Sequence, residues 1–455
     1  MKLHLQGTEG MMSAAGGLSL LSSLVDKHTG FRKEVDLACP VRHGTRVSEH
    51  SMVFLGAMST GSSDFAGVER FDNNEATASI LKVWKISAES TLRQSFESNS
   101  EELMKVFEKV NEQFLISARP HLSVCETGHV VVDADNTVLD QTGSNKENTG
   151  WTSKQCLGFN QLNFTIGEEG YLIVARLGPG NQHCQKGFPG IMEQAIGTAK
   201  KITDKPLLLR TDSGFDAMEN MATVFEMNER RETGQVTDFL IKRNRRSDSC
   251  DELVKRANET GQWTETRPGE SVCVLDEIVE REWNGRTYRL RLITKITEMT
   301  AERDGSQLLM TEHRIAQWWT SLDIPAEEVI KVYDARGTSE QFHSELKSDL
   351  DLERLPSSKF ATNCAVVSLG KFLYNVLRYM SQYMLETKQA DHEKKYGRIN
   401  KKKLRVKRRR IRTVIQEFIH VSCKIVKTAR RTIMKINREW EWFGLFKEMY
   451  NSANT

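Results

Sequence analysis

Hydrophobic spacing divides the chain into a helical start, a β-rich middle and a helical end. Up to about residue 120 the sequence reads as helical, with a Gly/Ser-rich turn at 59–63 and a segment at 87–97 that a Ser cap would start. Residues 11–25 also read as a helix in water, being Gly- and Ser-rich and lacking the cleavage pattern of a signal peptide. From Val130 short β-branched runs take over at 130–139, 158–166 and 171–177, joined by brief polar turns, as in an antiparallel meander. A helix at 190–202, an apolar strand at 206–211, a helix near 217–230 and a strand at 238–243 follow.

That order, β-β-β-α-β-α-β, is the order of an RNase H-like core, an α/β fold. Residues 245–322 break the alternation with strand-like pieces at 272–279 and 288–296 and with Trp263, Trp283, Trp318 and Trp319, and read as a β-rich insertion. Helical spacing resumes at Ala326. From Phe360 the residues Phe360, Cys364, Val367, Phe372, Val376, Met380 and Tyr383 form a stripe suited to covering a sheet. The expected organisation is a helical N-terminal region (1–120), which reads equally as a DNA-binding and assembly region or as a plain helical packing domain, the first part of the core (121–244), the insertion (245–322), the last core helices (323–388) and a basic helical C-terminal region (389–455). In that last region Ile411, Val414, Ile415, Phe418, Ile425 and Ile433 are read at helical spacing.

Charge sharpens this picture. The net charge of +3 hides an asymmetry: residues 391–455 carry 19 Lys+Arg against 6 Asp+Glu, while residues 1–390 sum to −10. The cations concentrate at Lys401, Lys402, Lys403, Arg408, Arg409 and Arg410, too densely to be neutralised locally, which suits a phosphate backbone. No uninterrupted apolar run approaches the roughly 20 residues of a spanning helix, so no membrane partner is expected. Eight cysteines without zinc-type spacing read as reduced thiols.

Candidate chemistry lies at strand ends. Asp133 and Asp135 close the first predicted strand and Asp212 closes the fourth. Taken singly, such residues are commonly turn formers or caps. Taken together they matter, because the first and fourth strands of an RNase H-like core are neighbours, and carboxylates meeting there repel unless a cation intervenes. A third group comes from the stretch Tyr333 to Lys347: on one continuous helix Arg336, Glu340 and Lys347 would share a face. Thr338 followed by Gln341 also fits a capping box, which would start a new helix just after Gly337.

The spacing Tyr333, Arg336, Glu340, Lys347 resembles the signature of insertion-sequence DDE transposases of the YREK type. The motifs around Asp133 to Thr137, Gly158-Phe159-Asn160, Gly178-Pro179-Gly180-Asn181, Thr211 to Phe215 and Arg336 to Glu340 are similar to one branch, insertion-sequence family thirteen-eighty. The resemblance implies a catalytic and metal-binding triad of Asp135, Asp212 and Glu340, with Asp133 as the alternative or assisting first carboxylate. Asp135 is preferred because Thr137 follows it by two residues, as the family pattern has it.

The same resemblance implies two Mg²⁺ ions, with Mn²⁺ as a substitute, and phosphate contacts from Tyr333, Arg336 and Lys347. A flipped base would be held by Trp318 or Trp319, against the plainer reading of each as a core tryptophan. The implied activity is binding of terminal inverted repeats, two-metal hydrolysis of DNA through a hairpin, and joining of 3′ ends to target DNA. A homodimer on double-stranded DNA, in the bacterial cytoplasm beside the nucleoid, is the implied assembly. The competing readings are a catalytically silent, transposase-derived DNA-binding regulator and a structure-selective nuclease on the same core.

Overall fold

The computed structural model describes residues 3–5, 9–71, 74–230, 234–246, 249–396 and 408–455, with side chains described outside 338–339 and 389–396. Lys401, Lys402 and Lys403 lie outside the described residues.

A short strand, β1 (Met11–Ser13), precedes six helices: α1 (Leu18–His28), α2 (Phe31–Ala38), α3 (Val47–Met58), α4 (Glu75–Leu81), α5 (Glu89–Ser98) and α6 (Ser100–Ala118). The single helix read over 11–25 is therefore corrected, since the helix starts only after Gly16 and Gly17. A Cβ at Gly17 would stand 1.8 Å from the Phe418 carbonyl oxygen, so only glycine lets the two backbones approach this closely.

The core sheet runs through β2 (Val130–Asp140), β3 (Gly150–Trp151), β4 (Leu157–Ile166), β5 (Tyr171–Pro179), β6 (Leu207–Thr211) and β7 (Thr237–Lys242). Strands β2, β4 and β5 pair antiparallel, whereas β2, β6 and β7 pair parallel, giving the spatial order β5-β4-β2-β6-β7 of an RNase H-like sheet. Central strands covered on both faces must be apolar throughout, and Val130, Val131, Val132, Ala134 and Leu207 to Leu209 are all buried. Helices α7 (Phe188–Ile202) and α8 (Met218–Glu229) pack together and against β5 and β7 respectively.

The insertion consists of α9 (Cys250–Thr260) and four strands, β8 (Trp263–Arg267), β9 (Glu270–Trp283), β10 (Arg286–Ala301) and β11 (Gln307–Thr320). It does not stand apart: β11 returns to β7, pairing Trp318 with Lys242 and Trp319 with Ile241, so the same sheet continues to ten strands. After it come α10 (Ala326–Asp334), α11 (Ser339–Ser344) and α12 (Phe360–Tyr396). Helix α12 lies across β5 and α6. Its stretch Phe360–Lys388 is long and apolar enough to cross a membrane by composition, and 83 % of its most apolar window is buried inside the molecule, as in a core helix.

The C-terminal region is not helical throughout, contrary to the expectation for 389–455. A short α13 (Ile411–Val414) gives way to a hairpin of β12 (Cys423–Lys427) and β13 (Thr432–Ile436) that pairs with β1, and α14 (Phe443–Ala453) closes the chain. Along β12 the buried positions alternate, Cys423 and Ile425 inward with Lys424 and Val426 between them, which is a strand period that sparse apolar positions had disguised as a helical one.

Candidate active site

The parallel register of β2 and β6 sets Ala134 beside Thr211, so Asp135 and Asp212 follow at adjacent places beyond the last paired residues. This is the carboxyl end of the parallel strands, where an α/β sheet leaves its backbone open to a ligand. Asp135 remains on the antiparallel ladder with β4, opposite Asn163, and is half-buried. Asp212 leaves the sheet and caps a short 3₁₀ turn, its Oδ1 accepting from the Gly214 amide at 3.0 Å.

The two carboxyl groups are held differently. Burial would raise the pKa of Asp135, but a hydrogen bond from His343 and the charges of Arg336 and His343 hold it below the usual carboxylate range. Asp212 moves the other way: burial pushes it up, the charge of Asp135 adds to the rise, and Arg336 only partly offsets them. A pair of close carboxylates with one member forced upward carries an excess of negative potential. Its donors are oxygen only, which fits a hard divalent cation such as Mg²⁺ or Mn²⁺.

Asp133 has another role in the fold. Both its oxygens accept from Arg210, at 2.7 Å each, in a bidentate pair with both side chains at or below 4 % exposure. Arg210 also donates to the Val332 carbonyl at 2.7 Å, so the pair ties β2 and β6 to the end of α10.

The segment from Tyr333 to Lys347 is not one regular helix. It passes from α10 through a 3₁₀ turn (Ala335–Thr338) into α11 and then a π turn (Glu345–Asp349), so steps of four and seven residues no longer keep one face. The restart at Ser339 falls where the capping box was read. Arg336 is turned inward, donating to the Ala134 carbonyl at 2.8 Å and lying 3.5 Å from Asp135. Lys347 donates to the Val138 carbonyl and lies 3.5 Å from Glu353. Tyr333 packs against Trp318, half-buried, and burial raises its phenol. Glu340 is exposed. Among the described residues, no group of three His, Cys, Asp or Glu side chains is close enough to hold a metal ion, so Asp135 and Asp212 meet without Glu340 in this conformation.

His343, one turn beyond Glu340, occupies the inward position. Its Nε2 donates to Asp135 Oδ2 at 3.1 Å and its Nδ1 accepts from the Asn163 amide at 3.1 Å, while Asn163 in turn accepts from Gln161 at 2.8 Å. This relay fixes the orientation of Asp135 from β4, and the chain offered one signal for it, an imidazole three residues after the predicted ligand. Arg210 and Asn163 were likewise missed.

Both candidate tryptophans are buried. Trp318 joins a small apolar cluster with Val329 and Leu322. Trp319 lies between the guanidinium groups of Arg243 and Arg281, at 5.3 and 5.5 Å, and lines a cavity of about 480 Å³ that begins at Asp216, four residues after Asp212. Three of the described cations singled out in the basic tail, Arg408, Arg409 and Arg410, are engaged internally. Arg408 stacks on Phe342 and donates to Gln341, Arg409 pairs with Glu417 at 2.7 Å, and Arg410 grips Asp349 at 2.8 and 2.9 Å.

The fold is an α/β sheet in RNase H-like order, with Asp135 and Asp212 just beyond the parallel pairing of its first and fourth core strands. Within that fold class, the chain belongs to the transposase DDE domain group 1 family, which matches residues 1–454. A solved structure, that of a piggyBac transposase synaptic complex with hairpin DNA, is similar over 90 % of this chain and 83 % of its own, at 10 % identity and a TM-score of 0.39. No curated protein matches the chain.

Proposed function

We propose that the protein is the transposase of an insertion sequence of the YREK type, in the branch of family thirteen-eighty. On this reading it binds the terminal inverted repeats as a homodimer in the bacterial cytoplasm, frees 3′ ends by hydrolysis, passes through a hairpin and joins those ends to target DNA. The observation that carries the reading is the convergence of Asp135 and Asp212 at one sheet edge, with Asp212 pushed up by burial and then by its neighbour.

Asp135, Asp212 and Glu340 would hold two Mg²⁺ ions, or Mn²⁺ in their place. When bound, such ions activate water and stabilise the leaving 3′ oxygen of a phosphodiester. The chain's own residues orient and balance. His343 and Asn163 fix Asp135, Arg210 holds Asp133 and the strand ends in place, and Arg336 offsets the charge of the pair. Tyr333, Arg336 and Lys347 meet the phosphates of the bound end, and DNA must draw Arg336 and Lys347 away from the Ala134 and Val138 carbonyls that now accept from them. Trp319, on the wall of a cavity beside the Asp212 loop, is better placed than Trp318 to hold a flipped base.

Glu340 completes the site by swinging inward within the irregular segment 335–349. The test is Glu340→Gln with duplexes bearing the element's ends and Mg²⁺: cleavage is lost and binding largely kept. Cleavage at the wild-type rate rules Glu340 out as a ligand. The exposure of Glu340 favours one other reading, a catalytically silent DNA-binding regulator, and wild-type protein that binds these ends without cutting them would establish it.

A further inference from the structure

A run of basic residues open to solvent lies on and just after the β12–β13 hairpin. Between Phe418 and Arg438 there is no acidic residue, and Lys424, Lys427, Arg430, Arg431, Lys435 and Arg438 fall within that stretch. Among the described residues, none of Lys427, Arg430, Arg431, Lys435 and Arg438 takes part in an ion pair, and all five are exposed. Arg409, Arg410 and Arg412, a short way upstream, all hold carboxylates of the protein itself.

The register adds a second observation. Lys424 stands directly opposite Lys435, and like charges in that position destabilise a sheet. The inner face of the hairpin is committed to the core through Cys423 and Ile425, so Lys424 and Lys435 fall on its outer face, Arg430 and Arg431 lie in the turn, and Lys427 ends the inner face at the exposed tip of the strand. There Lys427 lines a groove of about 690 Å³ with Lys85 and Trp84, whose indole is 77 % exposed; Glu75 is the carboxylate on the wall.

We infer that the β12–β13 hairpin is a contact surface for double-stranded DNA, its cations meeting backbone phosphates and Trp84 lying against the adjoining sugar. Lys424 donates to the Glu9 carbonyl but, like the other cations here, has no carboxylate partner among the described residues; such charges are relieved by a polyanion, and a two-stranded ribbon has the dimensions to follow a duplex groove. The inference rests on the reading of the chain as a DNA transposase, and it shifts tail binding from residues 408–410 to the hairpin.

The test is fluorescence anisotropy with the full chain and a labelled duplex of random sequence, titrated with salt. In the variant Lys427→Ala/Arg430→Ala/Arg431→Ala/Lys435→Ala, affinity at moderate salt drops about tenfold or more and the slope of log K against log salt falls by about 2 to 4. A control that removes four exposed cations elsewhere, Lys205→Ala/Lys255→Ala/Arg303→Ala/Arg314→Ala, keeps the wild-type slope. Should the fourfold variant misfold, Arg430→Ala/Arg431→Ala in the turn reduces the slope by about 1 to 2. Trp84→Ala weakens binding with the slope unchanged. A folded hairpin variant with the slope of the control overturns the inference while the transposase reading stands. A wild-type chain that binds no duplex overturns both.

Discussion

Two aspartates two residues apart on one strand have opposite fates, and the difference comes from what each can reach. Asp133 is neutralised by the fork of Arg210, and stripping one partner from such a buried pair costs about 3 to 5 kcal/mol. Asp135, nearer the strand end, meets an imidazole, the edge of Arg336 and the amide of Asn136. The chain contained a clue that Asp133 is structural. A single arginine in Leu-Leu-Leu-Arg-Thr, buried in a central strand, requires a carboxylate partner close by. Thr137, two residues on, singles out Asp135 in the sequence, and the Arg210 pair is what sets Asp133 apart from it in the structure.

A second residue-scale feature sets a pH response away from the site. His50 on α3 is buried with neither ring nitrogen hydrogen-bonded, and burial lowers its pKa, as it does for His28 and His420. The unfolded chain therefore takes up protons first, and stability falls as the pH drops below the ordinary imidazole value of about 6.5. In denaturant titrations between about pH 7 and 5, wild type loses up to about 1.4 kcal/mol per pH unit from His50, and His50→Leu flattens the dependence. An identical slope in the variant would show that His50 charges freely in the fold.

At the scale of elements, strand order was legible because strands buried on both faces read as unbroken apolar runs, as in Val130 to Val132 and Leu207 to Leu209. The irregular path from Asp334 to Asp349 was only half legible. A capping box announces the restart, but the π turn depends on tertiary partners: Arg378 on α12, fully buried, binds Glu345 and Tyr374 and donates to the Arg409 carbonyl. The C-terminal hairpin was misread as helix because its pairing with β1, more than 400 residues away in sequence, is invisible in any local window.

The segment bearing Glu340 and His343 is also braced from the sheet. Gly170, at the turn between β4 and β5, has a positive φ, and a Cβ there would lie 2.1 Å from the Phe342 ring. Gly170→Ala therefore displaces Phe342 and its neighbour His343, destabilising the fold by about 1 to 3 kcal/mol and slowing DNA cleavage more than DNA binding. Thermal melts and parallel binding and cleavage assays check this, and unchanged cleavage would mean that the position of His343 is immaterial.

For the whole molecule, one sheet carries both the paired aspartates and the insertion, because β11 adds directly to β7. The cavity at Trp319 thereby holds a fixed position relative to Asp212, and the basic hairpin is anchored to the N-terminal helices through β1 and Gly17. Composition had pointed to a basic C-terminal part, and the structure separates its described cations into those that bind the protein and those left on the hairpin. The central claim remains the carboxylate pair, and its most direct measurement is the product pattern on denaturing gels after incubating duplexes bearing the element's ends with Mg²⁺. Wild type releases a 3′-hydroxyl end, whereas Asp135→Asn and Asp212→Asn bind the same DNA and leave it uncut; cutting by either variant at the wild-type rate would contradict the account.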